Sequence, residues 1–235
     1  MKLGLASNFE DEYQNIEGLW KIFSLVIDQW LVVDSGSFDN TPWKLREVVG
    51  PKLKLIQDPM IKEYGFAYAR TKLVELSEGM DWVFIIDGDE RMCPFDAKKM
   101  RDILETNPPY DIIWLPRFVC HDREMRWIEF GGDNGTIGSN KFTAVRYHPD
   151  WQPRLIRRTM INGQSKVRFK RAVHEVPIYD NIEIRELRDL NGPLIESFGR
   201  LKVVERRHKI GDLCRSLQKK FPQGLEEFGD CIYND

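Results

Sequence analysis

Cysteine and histidine are scarce in this chain, four of each among 235 residues. Cys93, Cys120, Cys214 and Cys231 show no C-x-x-C spacing. That argues against a structural zinc site or a redox pair and favours reduced thiols in a cytoplasmic protein. Long apolar runs are missing as well, and none approaches the roughly 20 residues of a membrane-spanning helix. The first apolar stretch, Leu3-Gly4-Leu5-Ala6, gives way to Ser7-Asn8 and is too short for a signal peptide. There is no internal repeat, no low-complexity tract and no obvious interdomain linker. A strong charge of either sign is lacking: the formal net charge is -2. This gives a duplex nucleic-acid binder little support. What remains is an ordinary globular composition, 42% hydrophobic and 31% charged. The length suits one large domain or two small ones and can bury a core without staples.

The charge is uneven along the chain. Residues 1–150 hold 18 Lys+Arg against 25 Asp+Glu, and residues 151–235 hold 17 against 12. An acidic first part suggests handling of a metal or cation. A basic last part suggests an anionic partner, against the plainer alternative of a solvated face.

Three short apolar runs lead the chain: Leu3–Ala6, Trp30–Val33 ending in Asp34, and Trp82–Ile86 ending in Asp87. Continuous apolar runs of strand length fit strands buried on both faces of a mostly parallel sheet. Residues 52–56 form a further strand pattern. Between these runs lie helical patterns. Ile16, Leu19, Trp20 and Phe23 share one helical face. Thr41-Pro42 reads as an N-cap followed by proline at the first helical position. A third helix carries Ala67, Leu73, Val74 and Leu76 and ends near Gly79. The resulting order, β-α-β-α-β-α-β, predicts an α/β layered fold with right-handed crossovers. Farther on, residues 96–104 read as a helix and 111–115 as a strand. Residues 121–150 show no clean period, which marks a long irregular region. Strand character resumes over 153–176. Ile210, Leu213, Cys214, Leu217 and Phe221 fall on one face of an amphipathic C-terminal helix.

Asp87-Gly88-Asp89-Glu90 leaves the most apolar of these strands. In open α/β sheets, ligands bind outside the carboxyl ends of strands. Hard divalent cations take carboxylate oxygens and are commonly shared with substrate phosphates. A D-x-D step there suits Mn²⁺ or Mg²⁺ bound to a nucleotide diphosphate, and a solvated acidic turn is the alternative. Residues Asp34 to Thr41 form a small polar turn whose carboxylate can accept hydrogen bonds from a base or ribose. An N-capping turn is the competing reading. Gly65-Phe66-Ala67-Tyr68-Ala69-Arg70 allows close backbone approach and ends in a planar, permanent cation.

In this order these segments resemble the family 2 glycosyltransferases of the GT-A fold. The usual wording of that family is an early Asn-Glu, then D-S-G-S-x-D-x-T, G-x-x-x-A-R-N and an apolar strand into D-x-D-E. Here the counterparts are Asn8 to Glu12, Asp34 to Thr41, Gly65 to Arg70 and Trp82 to Glu90. Residues Gln152 to Arg157 and Val173-His174-Glu175 resemble the Q-x-R-L-F-R and V-H-E segments of small bacterial and phage enzymes that build surface polysaccharides. The resemblance covers roughly residues 3–176. It departs at Thr71, where the family has Asn. A histidine that many relatives place soon after V-H-E is missing, and the next one here is His208.

The resemblance implies a single GT-A domain over 1–235. Residues 1–92 would be its nucleotide-sugar half, 93–180 its acceptor side and 181–235 a C-terminal helical extension. It implies transfer of one sugar from a UDP-sugar donor, dependent on Mn²⁺ or Mg²⁺, with inversion. Asp34 and Arg70 would hold the nucleoside, with Asn8, Glu10 and Gly88 lining the donor site. Asp87 would lie near ribose or metal, and Asp89 would ligate the metal through the diphosphate. His174 is either a second metal ligand or a structural histidine. Glu175 leads as the general base that takes the acceptor proton, with Asp133 second. A saccharide ranks first as acceptor, ahead of a protein side chain or a modified DNA base. The basic residues from Arg154 to Arg171, preceded by aromatics, could hold an anionic acceptor.

Other classes fit less well. A haloacid-dehalogenase phosphatase has its D-x-D near the chain start, and Arg91 fills a position where that motif wants Thr or Val. A sugar nucleotidyltransferase needs a Gly-rich, basic N-terminal loop, which Leu3 to Asn8 does not supply. A non-catalytic module binding nucleic acid or an acidic partner is the last alternative.

Overall fold

The computed structural model describes residues 1–120, 127–128, 135–137, 140–142, 150–161, 163–170, 176–179, 183–188, 193, 195–197 and 216. The first part of the chain alternates as its sequence predicts. β1 (Leu3–Phe9) leads through α1 (Ile16–Phe23) to β2 (Gln29–Asp34), and α2 (Thr41–Val49) leads to β3 (Leu53–Gln57). A short α3 (Ile61–Tyr64) and α4 (Phe66–Glu75) lead to β4 (Trp82–Ile85). Two-residue β5 (Glu90–Arg91), α5 (Pro94–Glu105) and β6 (Ile112–Cys120) follow. Then come β7 (Trp127–Ile128), β8 (Gly135–Ile137), β9 (Asn140–Phe142) and β10 (Asp150–Arg157). Short strands complete the described chain: β11 (Met160–Ile161), β12 (Gln164–Ser165), β13 (Arg168–Lys170), β14 (Val176–Ile178), β15 (Glu186–Arg188) and β16 (Ile195–Ser197).

The central sheet runs β3-β2-β1-β4-β10-β6-β16-β5, with β15 and β7 also pairing with β6. β1 to β4 are mutually parallel, and β10 is antiparallel to both β4 and β6. The segment 181–235, expected as a helical extension, thus adds two strands to the sheet, and Ser216 is helical. The other residues of the expected C-terminal helix lie outside the described residues.

The apolar runs are buried on both faces, as their lack of alternation predicts. Trp82, Phe84 and Ile86 pack with Leu3, Leu5, Leu19, Phe23 and Met100 on the side of α1 and α5. Val83 and Ile85 pack with Ala6, Leu31, Leu73 and Val74 on the side of α4. Each such side chain, fully buried, is worth about 1.5–3 kcal/mol, so this strand is among the firmest supports in the molecule. Its rigidity matters because Asp87 follows it directly.

One expected cap is shifted. Thr41 is the first residue of α2 rather than its N-cap, which is Asn40. The reason is that the Thr41 hydroxyl is engaged elsewhere, accepting from the Glu12 N–H at 2.8 Å. The Asp39 carboxylate accepts from the Thr41 N–H instead, at 2.9 Å.

Candidate active site

The chain leaves β1 for β2 and β3 on one side and returns to β4 on the other. This reversal opens a crevice at the carboxyl ends of β1 and β4, the usual ligand position in an open α/β sheet. Three loops meet there: the one after β1 (Glu10 to Glu12), the one after β2 (Ser35 to Asn40) and the turn Asp87-Gly88-Asp89-Glu90.

The first two loops are laced together. Asp11 holds φ +54°, a left-handed conformation that Asp tolerates better than most residues. Its carboxylate accepts from the N–H groups of Phe38 at 2.7 Å and Asp39 at 3.2 Å, and its own N–H donates to Ser37 Oγ at 2.9 Å. Asp39 accepts in turn from the Tyr13 N–H at 3.2 Å. Asp34 is buried at the end of β2, with its carboxylate accepting from the Ser37 hydroxyl and N–H. Its observed partners are therefore those of the turn-forming alternative. Asn8 is half-buried and accepts from Ser35 Oγ at 3.3 Å, and Glu10 pairs with Lys62 at 2.9 Å.

The acidic turn closes on itself. The Glu90 N–H donates to the Asp87 carbonyl at 3.0 Å, and the Asp87 N–H donates to Glu90 Oε2 at 3.0 Å. Arg91 braces the far side, donating to the carbonyls of Gly88 and Glu90 and to Asn15 Oδ1. Glu12 packs onto Gly88 so closely that a Cβ there would sit 2.4 Å from Glu12 Cδ.

Three arginines surround the turn. Arg70 Nη2 lies 3.2 Å from Asp87 Oδ2. Arg154 Nη2 lies 3.2 Å from the same oxygen and 2.5 Å from Glu90 Oε1, and Arg117 lies 3.2 Å from Glu90 Oε1. Desolvation alone would raise the Asp87 pKa. The charges of Arg70, Arg154 and Arg117 outweigh it and hold the carboxyl well below the usual range. Burial pushes Glu90 up against the pull of Arg154, and the neighbouring Asp87 charge pushes the same way. The two carboxyls therefore differ: Asp87 stays ionised, and Glu90 is the readier to take a proton.

Among the described residues no group of three or more His, Cys, Asp or Glu side chains could cage a metal ion. A Mg²⁺- or Mn²⁺-type ion shared with a diphosphate needs only one or two protein carboxylates. Half-buried Asp89, on the turn that follows the buried strand, is a carboxylate of the kind such an ion takes. The donor set thus suits an ion carried largely by phosphate oxygens.

Asp34, Asn8, Glu10, Arg70, Asp87, Gly88 and Asp89 all belong to this crevice or its supports. Glu175, Asp133 and His174 lie outside the described residues. In the basic stretch from Arg154, four of the described cations are engaged within the chain. Arg154 is fully buried on the acidic turn. Arg157 donates to the carbonyls of Tyr110 and Pro108 and stacks over Trp82 at 4.6 Å. Arg158 donates to the Glu75 carbonyl, and Lys166 pairs with buried Asp111. The sequence places Glu90 and Asp11 within motif segments without giving either a role, and Arg154 in a stretch for an anionic acceptor; their part in holding the turn and the loops comes from the structure. Nothing local marks Arg154, since its strand Asp150–Arg157 carries several other polar residues.

No protein-family model matches the chain, and no curated protein matches it significantly. Solved structures do match. S. aureus TarS, residues 1–349, superposes with a TM-score of 0.52 at 14% identity, covering 97% of this chain and 67% of that one. The fold is GT-A. A UDP complex of the same TarS fragment matches at 18% identity over 52% of this chain and 37% of that one, TM-score 0.44. Glucosyl-3-phosphoglycerate synthase from Mycobacterium tuberculosis, with Mn²⁺, UDP and glucosyl-3-phosphoglycerate, matches at 19% identity, TM-score 0.40. That match covers 50% of this chain and 44% of that one. In these last two matches the chain spans less than half the length of the other protein.

Proposed function

We propose that this protein is a metal-dependent glycosyltransferase of the family 2 kind. It moves one sugar from a UDP-linked donor to a saccharide acceptor with inversion. The observation that carries this reading is the position of Asp87-Gly88-Asp89-Glu90 at the reversal point of a GT-A sheet, on a buried strand, with Asp87 charged and arginine-bound.

Asp89 would hold Mn²⁺ or Mg²⁺ together with the donor diphosphate. When bound, the ion neutralises charge on the departing nucleotide. The protein supplies the remainder by prior organisation. The closed turn presents Asp89 with no rearrangement, and interlaced Asp11, Ser37 and Asp39 fix the loop that faces the nucleoside. Asp34 and Arg70 supply the floor of that pocket. Inversion requires a base opposite the leaving group, and the family resemblance assigns it to Glu175, with Asp133 second.

The test is thermal shift and donor hydrolysis over a panel of nucleotide sugars, with and without Mn²⁺, on wild type and Asp89→Ala. Stabilisation and slow hydrolysis by one donor, requiring both metal and Asp89, is the expected result. No response to any donor would sink the reading. A product retaining the donor's anomeric configuration would remove inversion alone, and full activity of Glu175→Gln would move the base to Asp133.

A further inference from the structure

A further feature concerns how the acidic turn is held. β10 pairs with β6 in register from Asp150 to Pro153 and again from Leu155, but the register shifts between Pro153 and Leu155. Arg154 is the extra residue, a β-bulge. Bulges bend a strand locally and redirect one side chain, and they are frequent beside active sites. Here the redirected side chain is a fully buried arginine. A single nitrogen, Nη2, reaches both Asp87 at 3.2 Å and Glu90 at 2.5 Å, while Nε and Nη1 have no hydrogen-bond partner among the described residues. A buried guanidinium with unpartnered donors is costly. A core packed for stability alone would do better with an apolar residue at this place.

We infer that Arg154 is a positioning residue of the metal site, aimed by the β10 bulge at the two ends of the Asp87–Glu90 turn so that Asp89 is presented to a metal–diphosphate. The inference rests on the reading of the crevice as a nucleotide-diphosphate site. The charged groups around Arg154 are Asp87 and Glu90, and these are shared with Arg70 and Arg117 respectively. Glu90 closes the turn by accepting the Asp87 N–H, and Arg154 holds Glu90 in the position to do so. The guanidinium therefore acts on Asp89 through the backbone of the turn, without touching a ligand itself.

The simple variant Arg154→Met strips Glu90 of one of its two arginine partners, and removal of one member of a buried pair often prevents folding. Arg154→Met combined with Glu90→Gln removes both charges and keeps an acceptor for the Asp87 N–H. Comparison with Glu90→Gln alone isolates Arg154. Two readouts are taken on the full chain. One is hydrogen exchange of the peptide spanning residues 86–91. The other is binding of UDP in the presence of Mn²⁺. The expected result is a thermal midpoint in the double variant close to that of Glu90→Gln, with about tenfold faster exchange in the turn. UDP–Mn²⁺ affinity should be about tenfold weaker, the scale on which supports of metal ligands act. Equal exchange in the two variants would overturn the inference, because the arginine would then only balance charge. Faster exchange with unchanged affinity would overturn its link to the metal. Absence of UDP–Mn²⁺ binding in wild type would overturn the proposed function instead, and the exchange readout does not depend on it.

Discussion

Gly88→Ala probes whether the acidic turn is shaped by its neighbours or by its own sequence. The backbone at Gly88 is not left-handed, so conformational freedom does not explain the glycine; space does. An added Cβ would lie 2.4 Å from Glu12 Cδ, 2.5 Å from Cγ and 2.8 Å from Oε1. Ordinary contact begins about 1 Å farther out, so one partner must move by roughly that much. Glu12 is poorly able to yield. It is 4% exposed, its N–H is bonded to Thr41, its Oε2 accepts from Asn15, and the Arg91 guanidinium is close by. Overpacking of this kind costs about 1–3 kcal/mol. For a chain of this size that corresponds to a fall in Tm of about 2–12 °C. Urea unfolding followed by tryptophan fluorescence measures it directly, since Trp30 and Trp82 are fully buried in the core. The decisive arm is the same substitution in a Glu12→Ala background, where the obstacle is gone and the cost should fall to a few tenths of a kcal/mol. An equal loss in both backgrounds would refute the steric argument and place the glycine's role within the turn itself.

Three further outcomes follow from the same geometry. Asp87 is held below its ordinary range in the folded state, so it favours folding above the unfolded-chain value near pH 4 and loses that contribution as pH falls. The stability gap between wild type and Asp87→Asn should be full above about pH 5 and shrink toward pH 3, as read from urea midpoints; a gap that widens on acidification would refute this sign. Asp11→Ala should cost about 2 kcal/mol by losing charge-assisted bonds to two N–H groups at a left-handed residue, whereas Asp11→Asn should cost markedly less; equal Tm values for the two would contradict the assignment. Arg157→Ala should lower stability by about 2 kcal/mol while leaving UDP–Mn²⁺ binding unchanged, because its contacts among the described residues are the Tyr110 and Pro108 carbonyls, Asn107 Oδ1 and the Trp82 ring.

Most of the first 92 residues was legible because each element there carries a local signal. The runs 30–33 and 82–86 are too apolar for an exposed strand and too short for a buried helix, so they had to be interior strands. The helix after Thr41-Pro42 was announced by its proline, and the one before Gly79 by its periodicity. What escaped was set by contacts between distant residues. The Thr41 hydroxyl was read as a cap because sequence shows only near neighbours, whereas its actual partner is 29 positions away. Asp11 drew no attention, since nothing local demands that residue 11 turn left-handed and grip the loop after β2. The short strands β15 and β16 have no periodicity to display, and only the open edge of β6 gives them a place. Arg154 shows the same limit more sharply, because a bulge is a property of two paired strands and leaves no trace in either alone.

The charge asymmetry has a different meaning in the folded chain from the one its sequence suggests. An acidic first part and a basic last part invite the idea of two partners, a cation for one and a polyanion for the other. In the structure the halves complement each other across the sheet. Arg154 meets Asp87 and Glu90, Lys166 meets Asp111, and Arg157 and Arg158 satisfy carbonyls at 108, 110 and 75. Cations engaged with buried carboxylates and carbonyls cannot also form an open anion-binding face, since releasing them would leave those acceptors unsatisfied in the core. These four cations therefore do not themselves argue for a nucleic-acid acceptor. The effect of Arg154 is instead felt at the crevice, where Arg70 and Arg154 pair with Asp87 while Arg117 and Arg154 pair with Glu90.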